Sequence, residues 1–520
     1  MIMKTMKKIF CGAMAGALVL ASFASCGGSE SYEVNYDIDL SQKINLSVLM
    51  PNSGYDISVV NSDSNAQVIE ELTGYHVTYS QLPASNASTQ LNLQMINREK
   101  YHAMKLTSAQ FADLVAQDVL LPLDDVLDAY GPVLKQVISK ESWDVVTVDG
   151  KIYGIPEKAS SDNIENPILL RQDWINELLD KEAIDFAIPT NTTEFKTLLQ
   201  AIKSEYNVTP LTFDCNQTLI YPISAAFGIY SEWQEYEIDG KTEVRFYMQA
   251  PQYKDYVDYM SDLYKEGLIA SDVQDKDSAK SILEFGSGKA GALATSLWSV
   301  GSVVETMVSN KIITEAQSKA EDGVADKLLY LRSLDEDGKV YRTSGYTYIT
   351  AIPFYMAENA GYAIDWMNSK VTDTDDNHIF REIVIGEEGV HWSYSEREGY
   401  RPLTEKFDEK NDASYYLTGS NELVYTKYWL ARVRKIPEMY RAWEELMTDA
   451  NEVGVYNIAD ALPPLSAYST VRANIETYAQ EQFFIMLKNG TGSYSTYLNK
   501  FLSDGGTQAT NAISGWYLNK

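Results

Sequence analysis

The chain has 520 residues, 73 acidic against 43 basic, and a formal net charge of −30, a balance that argues against nucleic acid as a partner. With 45% hydrophobic residues it is long enough for two or three domains with sizeable cores, and three cysteines are too few for a disulfide framework to hold it together. Its aromatic residues are weighted to 36 tyrosines and 9 tryptophans against 15 phenylalanines, rings that carry a polar handle and suit half-wet surfaces.

The first segment carries Lys4, Lys7 and Lys8 and then an apolar run from Ile9 to Phe23. That run is shorter than the roughly 20 residues of a spanning helix, so it reads as an export signal over 1–25. Phe23-Ala24-Ser25-Cys26 resembles the lipobox of bacterial lipoproteins, with Phe23 where leucine is usual; the resemblance makes Cys26 the acylated N-terminus of the mature chain. The alternative is an ordinary secretory signal cut at a small-residue site. Residues 26–43, rich in glycine, serine and acids after the cysteine, have little to bury and are expected to form a flexible tether. No later apolar run is long enough to span a bilayer.

The folded part is expected to begin near Ile44. "INLSVLM", residues 44–50, reads as a largely buried strand. Ser64 and Gln67 form a capping-box pattern ahead of the helical face Val68, Ile69 and Leu72, with Gly74 as the stop. "YHVTY", residues 75–79, alternates as a second strand, and strand, helix, strand is how an α/β domain with a parallel sheet begins. "VDGKIYGIP", residues 148–156, reads as a turn at Asp149-Gly150, a strand and a proline exit. Asn191 and Glu194 cap a helix with Phe195, Leu198, Leu199 and Ile202 on its apolar face, and Pro251 opens another that runs to Gly267.

Motifs that would carry other chemistry fail on their own requirements. "FGSGK", residues 285–289, lacks the phosphate loop's first glycine, Leu283 standing there, and its Ser or Thr, replaced by Ala290. It is read instead as the turn into a strand ending at Trp298. Asp373, Asp375 and Asn377 mimic the start of a calcium loop, but His378 and Val384 occupy its glycine and its twelfth position. His76, His102, His378 and His391 show no zinc spacing, so neither metal nor cofactor is expected. There is no G-x-S-x-G elbow, and Cys215 reads as a structural thiol. A glycosidase needs two positioned acids, and a chain with 73 acids offers too many pairs for any one to count as a signal. Arg171 and Asp173 read as a structural pair at a helix start, with Trp174 in the core.

The order of "LPLDDVL" (121–127), "VDGKIYGIPE" (148–157), "LLRQDWI" (169–175), "YKDYVDYMSDLYKEGLI" (253–269), "FGSGKAGAL" (285–293) and "GEEGVHWSY" (386–394) resembles the family 1 extracellular solute-binding proteins found beside carbohydrate importers. The chain departs from the family at 96–111, where a glycine- and aspartate-rich turn is usual, and its last third matches only loosely. The resemblance implies a two-lobed α/β fold of the periplasmic-binding-protein type II kind, with crossings near Pro156, Leu331–Asp335 and Gly389. Lobe 1 is then 44–156 plus 335–389, and lobe 2 is 157–334 plus 390–520. Trp298 aligns with a position where relatives such as maltose-binding proteins present a stacking tryptophan. Trp392 and Tyr394, just past the expected crossing, and Trp233 are further cleft candidates, and His391 is a candidate donor to a ligand hydroxyl. The family implies a lipid-anchored, extracytoplasmic, monomeric binding component that catalyses nothing and hands an oligosaccharide to the permease of an ABC importer. The rival readings are a binder of peptides or other polar solutes, a surface-anchored glycan hydrolase, and a glycan-capture adhesin.

Overall fold

Among the described residues nine short strands form the two main sheets, one of five strands and one of four. In this computed structural model residues 32–519 are described, apart from 52–56, 63, 84–85, 159–162, 398, 404–416 and 418; the signal sequence and Cys26 lie outside the described residues. In chain order the strands are β1 (Leu46–Met50), β2 (Val77–Gln81), β3 (Ala103–Leu106), β4 (Ile155–Lys158), β5 (Ile168–Arg171), β6 (Leu211–Thr212), β7 (Ala292–Ala294), β8 (Leu328–Leu331) and β9 (Tyr346–Ala351). The helices that matter below are α1 (Ser64–Thr73), α2 (Ser108–Ala116), α3 (Thr192–Tyr206), α4 (Tyr253–Lys265), α5 (Tyr425–Val433), α6 (Pro437–Met447) and α7 (Ser466–Asn489).

The first sheet has the order β2-β1-β3-β9-β4 and the second β8-β5-β7-β6. β1 runs parallel to both β2 and β3, as the opening strand, helix, strand pattern predicts. The inner strands β1, β3, β5 and β7 are buried on both faces. Leu46, Val48 and Met50 enter one core and Leu49 the opposite one, while Ile168 and Leu170 point away from Leu169 in the same way. Such strands read as continuous apolar runs because no face meets water. Pro156 is tolerated in β4 because β4 is the edge strand.

Local signals hold where they are self-contained. The Asn191 side chain accepts from the Glu194 backbone N–H at 3.0 Å and starts α3, whose four expected apolar positions are all buried. α4 starts at Tyr253 and α1 ends before Gly74, at φ 75.

The chain passes between the two cores in three places: after Lys158, between Arg342 and Tyr346, and between Val433 and Pro437. The last corrects the expectation of a crossing at Gly389. The Gly389 N–H donates to the Trp392 carbonyl at 2.8 Å, closing a turn that stays on the first lobe. Residues 390–433, expected in lobe 2, pack instead on the first core, because Trp392, Leu417, Tyr425, Tyr428 and Trp429 are buried there. The Tyr428 hydroxyl also donates to Asp373 at 2.6 Å, and the Arg432 guanidinium donates to the Val384 carbonyl.

Candidate functional site: the seam between the lobes

The connection out of the first sheet also builds the seam. β4 is fixed to the first lobe by Glu157, whose carboxylate pairs with the buried Lys105 ammonium at 2.7 Å and accepts from Thr350 at 2.8 Å. On the far side, Asn163 and Glu165 form a shelf for the turn that follows β7. The Leu297 N–H donates to the Glu165 carbonyl at 2.6 Å, and the Ser296 hydroxyl caps the turn by accepting from the Trp298 N–H at 3.3 Å. The turn leaves the Trp298 ring 37% exposed on the second lobe.

Across the seam the ring meets Trp429 of α5, which belongs to the first core. Their centroids lie 4.9 Å apart with planes at 85°, edge to face. The partly buried Glu165 carboxyl beside them is pushed above the usual carboxylate range by burial, while hydrogen bonds from Asn163 and Trp298 pull it back. Asn163 is itself held, accepting from the Trp443 indole N–H at 3.4 Å and donating to Glu165 at 3.3 Å. The result is an aromatic face and an acceptor carboxyl, set on rigid turns from both lobes.

On the other side of β9, a groove of about 560 Å³ separates α2 from residues 459–476. Thr107, the N-cap of α2, and Asp113 line its first-lobe wall; Tyr468, Arg472 and Glu476 line the other. Burial raises the Asp113 carboxyl. Arg472 and Glu476 pair at 2.8 Å, and behind them burial, reinforced by the Glu476 charge, pushes Glu232 up to about 7. Polar groups of both signs facing each other across a gap can hold a hydroxyl-rich guest.

The other expected site residues are scattered. Trp233 is fully buried, against Phe246 and Tyr468, and offers no face to a ligand. The Trp392 ring is 2% exposed and its indole N–H donates to the Gly386 carbonyl at 2.7 Å, so it too is a core ring rather than a cleft platform. His391 uses Nδ1 to accept from the Glu387 N–H at 3.0 Å, which caps the turn. Tyr394 is 54% exposed and packs on Tyr400 at 4.9 Å. Glu165, Trp429 and Asn163 escape the sequence reading altogether. Only the register of Glu165 after a crossing could have signalled it, and the partner helix of Trp429 lies over a hundred residues along the chain.

Arg171 and Asp173 form the expected pair at 2.7 and 2.8 Å, and Trp174 stacks on Tyr206 at 4.0 Å. Among the described residues no three His, Cys, Asp or Glu side chains gather as a metal site, and no helix is long and apolar enough to cross a membrane.

Residues 63–325 match the family described as bacterial extracellular solute-binding protein. The chain is 30% identical over 270 residues to the "uncharacterized protein in butB 5' region" of Niallia circulans, a match covering 51% of this chain and 99% of that one. It is 26% identical over 355 residues to lipoprotein LipO of Bacillus subtilis (strain 168), covering 65% of each, so just under two thirds of that relative's length is spanned. Among solved structures, the Streptococcus pneumoniae ABC-transporter substrate-binding protein FusA in complex with kestose superposes with a TM-score of 0.64 at 17% identity. That match covers 92% of this chain and 100% of the other, a likeness of fold.

Proposed function

Because the chain belongs to the bacterial extracellular solute-binding protein family, we propose that it captures an oligosaccharide between its lobes and delivers it to the permease of an ABC importer. The observation that carries this reading is the meeting of Trp298 from one lobe and Trp429 from the other beside Glu165. A sugar ring has an apolar C–H face that stacks on an indole and hydroxyls that donate to a carboxylate. A guest entering there separates two rings that otherwise touch and gains contacts to both lobes at once. Such contacts exist in only one relative placement of the lobes, and that is the differential affinity that shifts a two-state equilibrium. The fold shared with a kestose-bound protein supports the ligand class.

The division into lobes follows the cores: roughly 32–158 with 346–433, and 163–342 with 437–517; residues 32–43, expected as part of the tether, pack on the first core through Tyr32 and Val34, and Lys43 pairs with Asp365 at 2.6 Å. Cys26 is proposed as the lipid attachment that holds the chain at the extracytoplasmic face, a reading supported by the likeness to LipO. Binding rather than turnover is the proposed activity, by a monomer.

A thermal-shift and calorimetric screen of purified protein against neutral and acidic oligosaccharides and against peptides tests the assignment. Stabilisation by glycans, recovered intact after incubation, is the expected result. Stabilisation by peptides alone, or recovery of shortened sugars, would overturn it.

A further inference from the structure

The third crossing carries a second feature. Between α6, the end of α5, the strand pair Trp392–Ser395 and Gly399–Pro402, and residues 321–322 lies a pocket of about 360 Å³ lined by Arg397, Arg401, Arg434 and Arg441. Three acids, Glu321, Asp322 and Glu444, share the lining, so what matters is which guanidinium groups are already paired. Two of the four are committed to acids: Arg441 to Glu438 and Glu445, and Arg401 to Glu321 across the lobes at 3.0 Å. Arg397 and Arg434 have no carboxylate partner among the described residues.

Arg434 is held in place without being neutralised. Its Nη1 donates to the Tyr400 carbonyl at 2.9 Å and its Nη2 to the Tyr440 hydroxyl at 2.8 Å, with the guanidinium 4.4 Å over the Tyr440 ring. Gly399, at φ 66, lets the backbone approach: a Cβ there would sit 3.4 Å from Nη1. The Nε–H is buried and meets no acceptor in the described structure. A buried guanidinium N–H without an acceptor is costly, and a planar fork fixed in advance is suited to a carboxylate. The remaining acids at the pocket are Glu444, which takes the Tyr440 hydroxyl, and the exposed Asp322.

A relay of side-chain contacts links the pocket to the aromatic seam. Tyr440 stacks on Trp443 at 6.1 Å, Trp443 donates to Asn163, and Asn163 holds Glu165 beside Trp298. We propose that this pocket binds the acidic group of the guest itself: a carboxylate on one sugar unit of the oligosaccharide that stacks at Trp298. The proposal rests on the reading of Trp298 as the sugar platform, and it narrows the substrate class from glycans to acidic glycans.

Calorimetry on the full chain with uronate-bearing tetrasaccharides from pectin, alginate and hyaluronan, each beside its carboxyl-methylated form, tests it. The expected result is that the best acidic probe binds at least tenfold more tightly than its methylated twin, and that this ratio falls toward one in Arg434→Gln and drops severalfold in Arg397→Gln, an exposed position that does not threaten folding. The preference should also shrink as sodium chloride is raised. A methylated or otherwise neutral glycan as the tightest ligand, or an unchanged ratio in both variants, would overturn the acid assignment while leaving the sugar reading standing. If inorganic sulfate or phosphate competes with the acidic probe at equal concentration, the pocket is a free-anion site and the proposal fails. If no glycan of either kind binds, the oligosaccharide reading itself is overturned.

Discussion

Trp298 and Trp233 are the same residue type, yet one is 37% exposed at the seam and the other has no exposed surface. Their substitutions therefore separate binding from folding. Trp298→Ala is expected to keep the far- and near-ultraviolet signatures of the folded protein and to weaken the best glycan by about 2 kcal/mol, roughly thirtyfold, in calorimetry. Trp233→Ala opens a cavity among Phe246, Tyr468 and their neighbours and is expected to cost about 3–5 kcal/mol of unfolding free energy in a urea titration.

Glu232 gives a signed pH dependence. An unfolded glutamate titrates near 4.5, and burial holds Glu232 near 7 in the folded chain. Between those values the folded state keeps a proton that the unfolded state has lost, so its contribution is full below about 4.5 and falls by about 3 kcal/mol as the pH rises to 7. Urea titrations across that range should show the slope in the parent protein and not in Glu232→Gln; equal slopes would contradict the assignment. At this scale the sequence shows which residue types are available but not which way a ring points, because direction is set by register on a sheet and by partners far along the chain.

Among elements, those defined by neighbouring residues were legible and those defined by distant ones were not. The cap at Asn191 involves residues within one turn, and the strand pattern at 44–50 needs only its own alternation. The placement of α6 depends instead on Glu438, buried beneath Tyr330 of β8, whose hydroxyl donates to it, and paired with Arg441. That carboxylate and its tyrosine are 108 positions apart, and no local pattern marks them. Glu438→Ala leaves the Arg441 charge without its nearest counter-ion and is expected to destabilise by about 3–5 kcal/mol. The effect should appear in hydrogen exchange as faster opening of 437–447 before the rest of the lobe. Gly389 shows the reverse failure: a glycine after acids looks like a boundary, but its N–H closes a turn back to Trp392, and the segment beyond it remains on the first core.

For the whole molecule, the local pattern at 44–79 gave only the parallel start of one α/β sheet; the division into two lobes came from the resemblance carried by motif order over the first 390 residues. The seam was far less legible. It is assembled from a shelf at 163–165, a turn at 296–298 and a helix at 425–433, segments that only the finished fold brings together. A structure of the protein with its tightest-binding oligosaccharide shows directly whether the guest bridges the two lobes at Trp298. The expected complex has a sugar ring stacked on Trp298, a hydroxyl within hydrogen-bonding distance of Glu165, and contacts to the Trp429 side of the first lobe. A glycan bound to one lobe alone, with Trp298 still edge-on to Trp429, would contradict it.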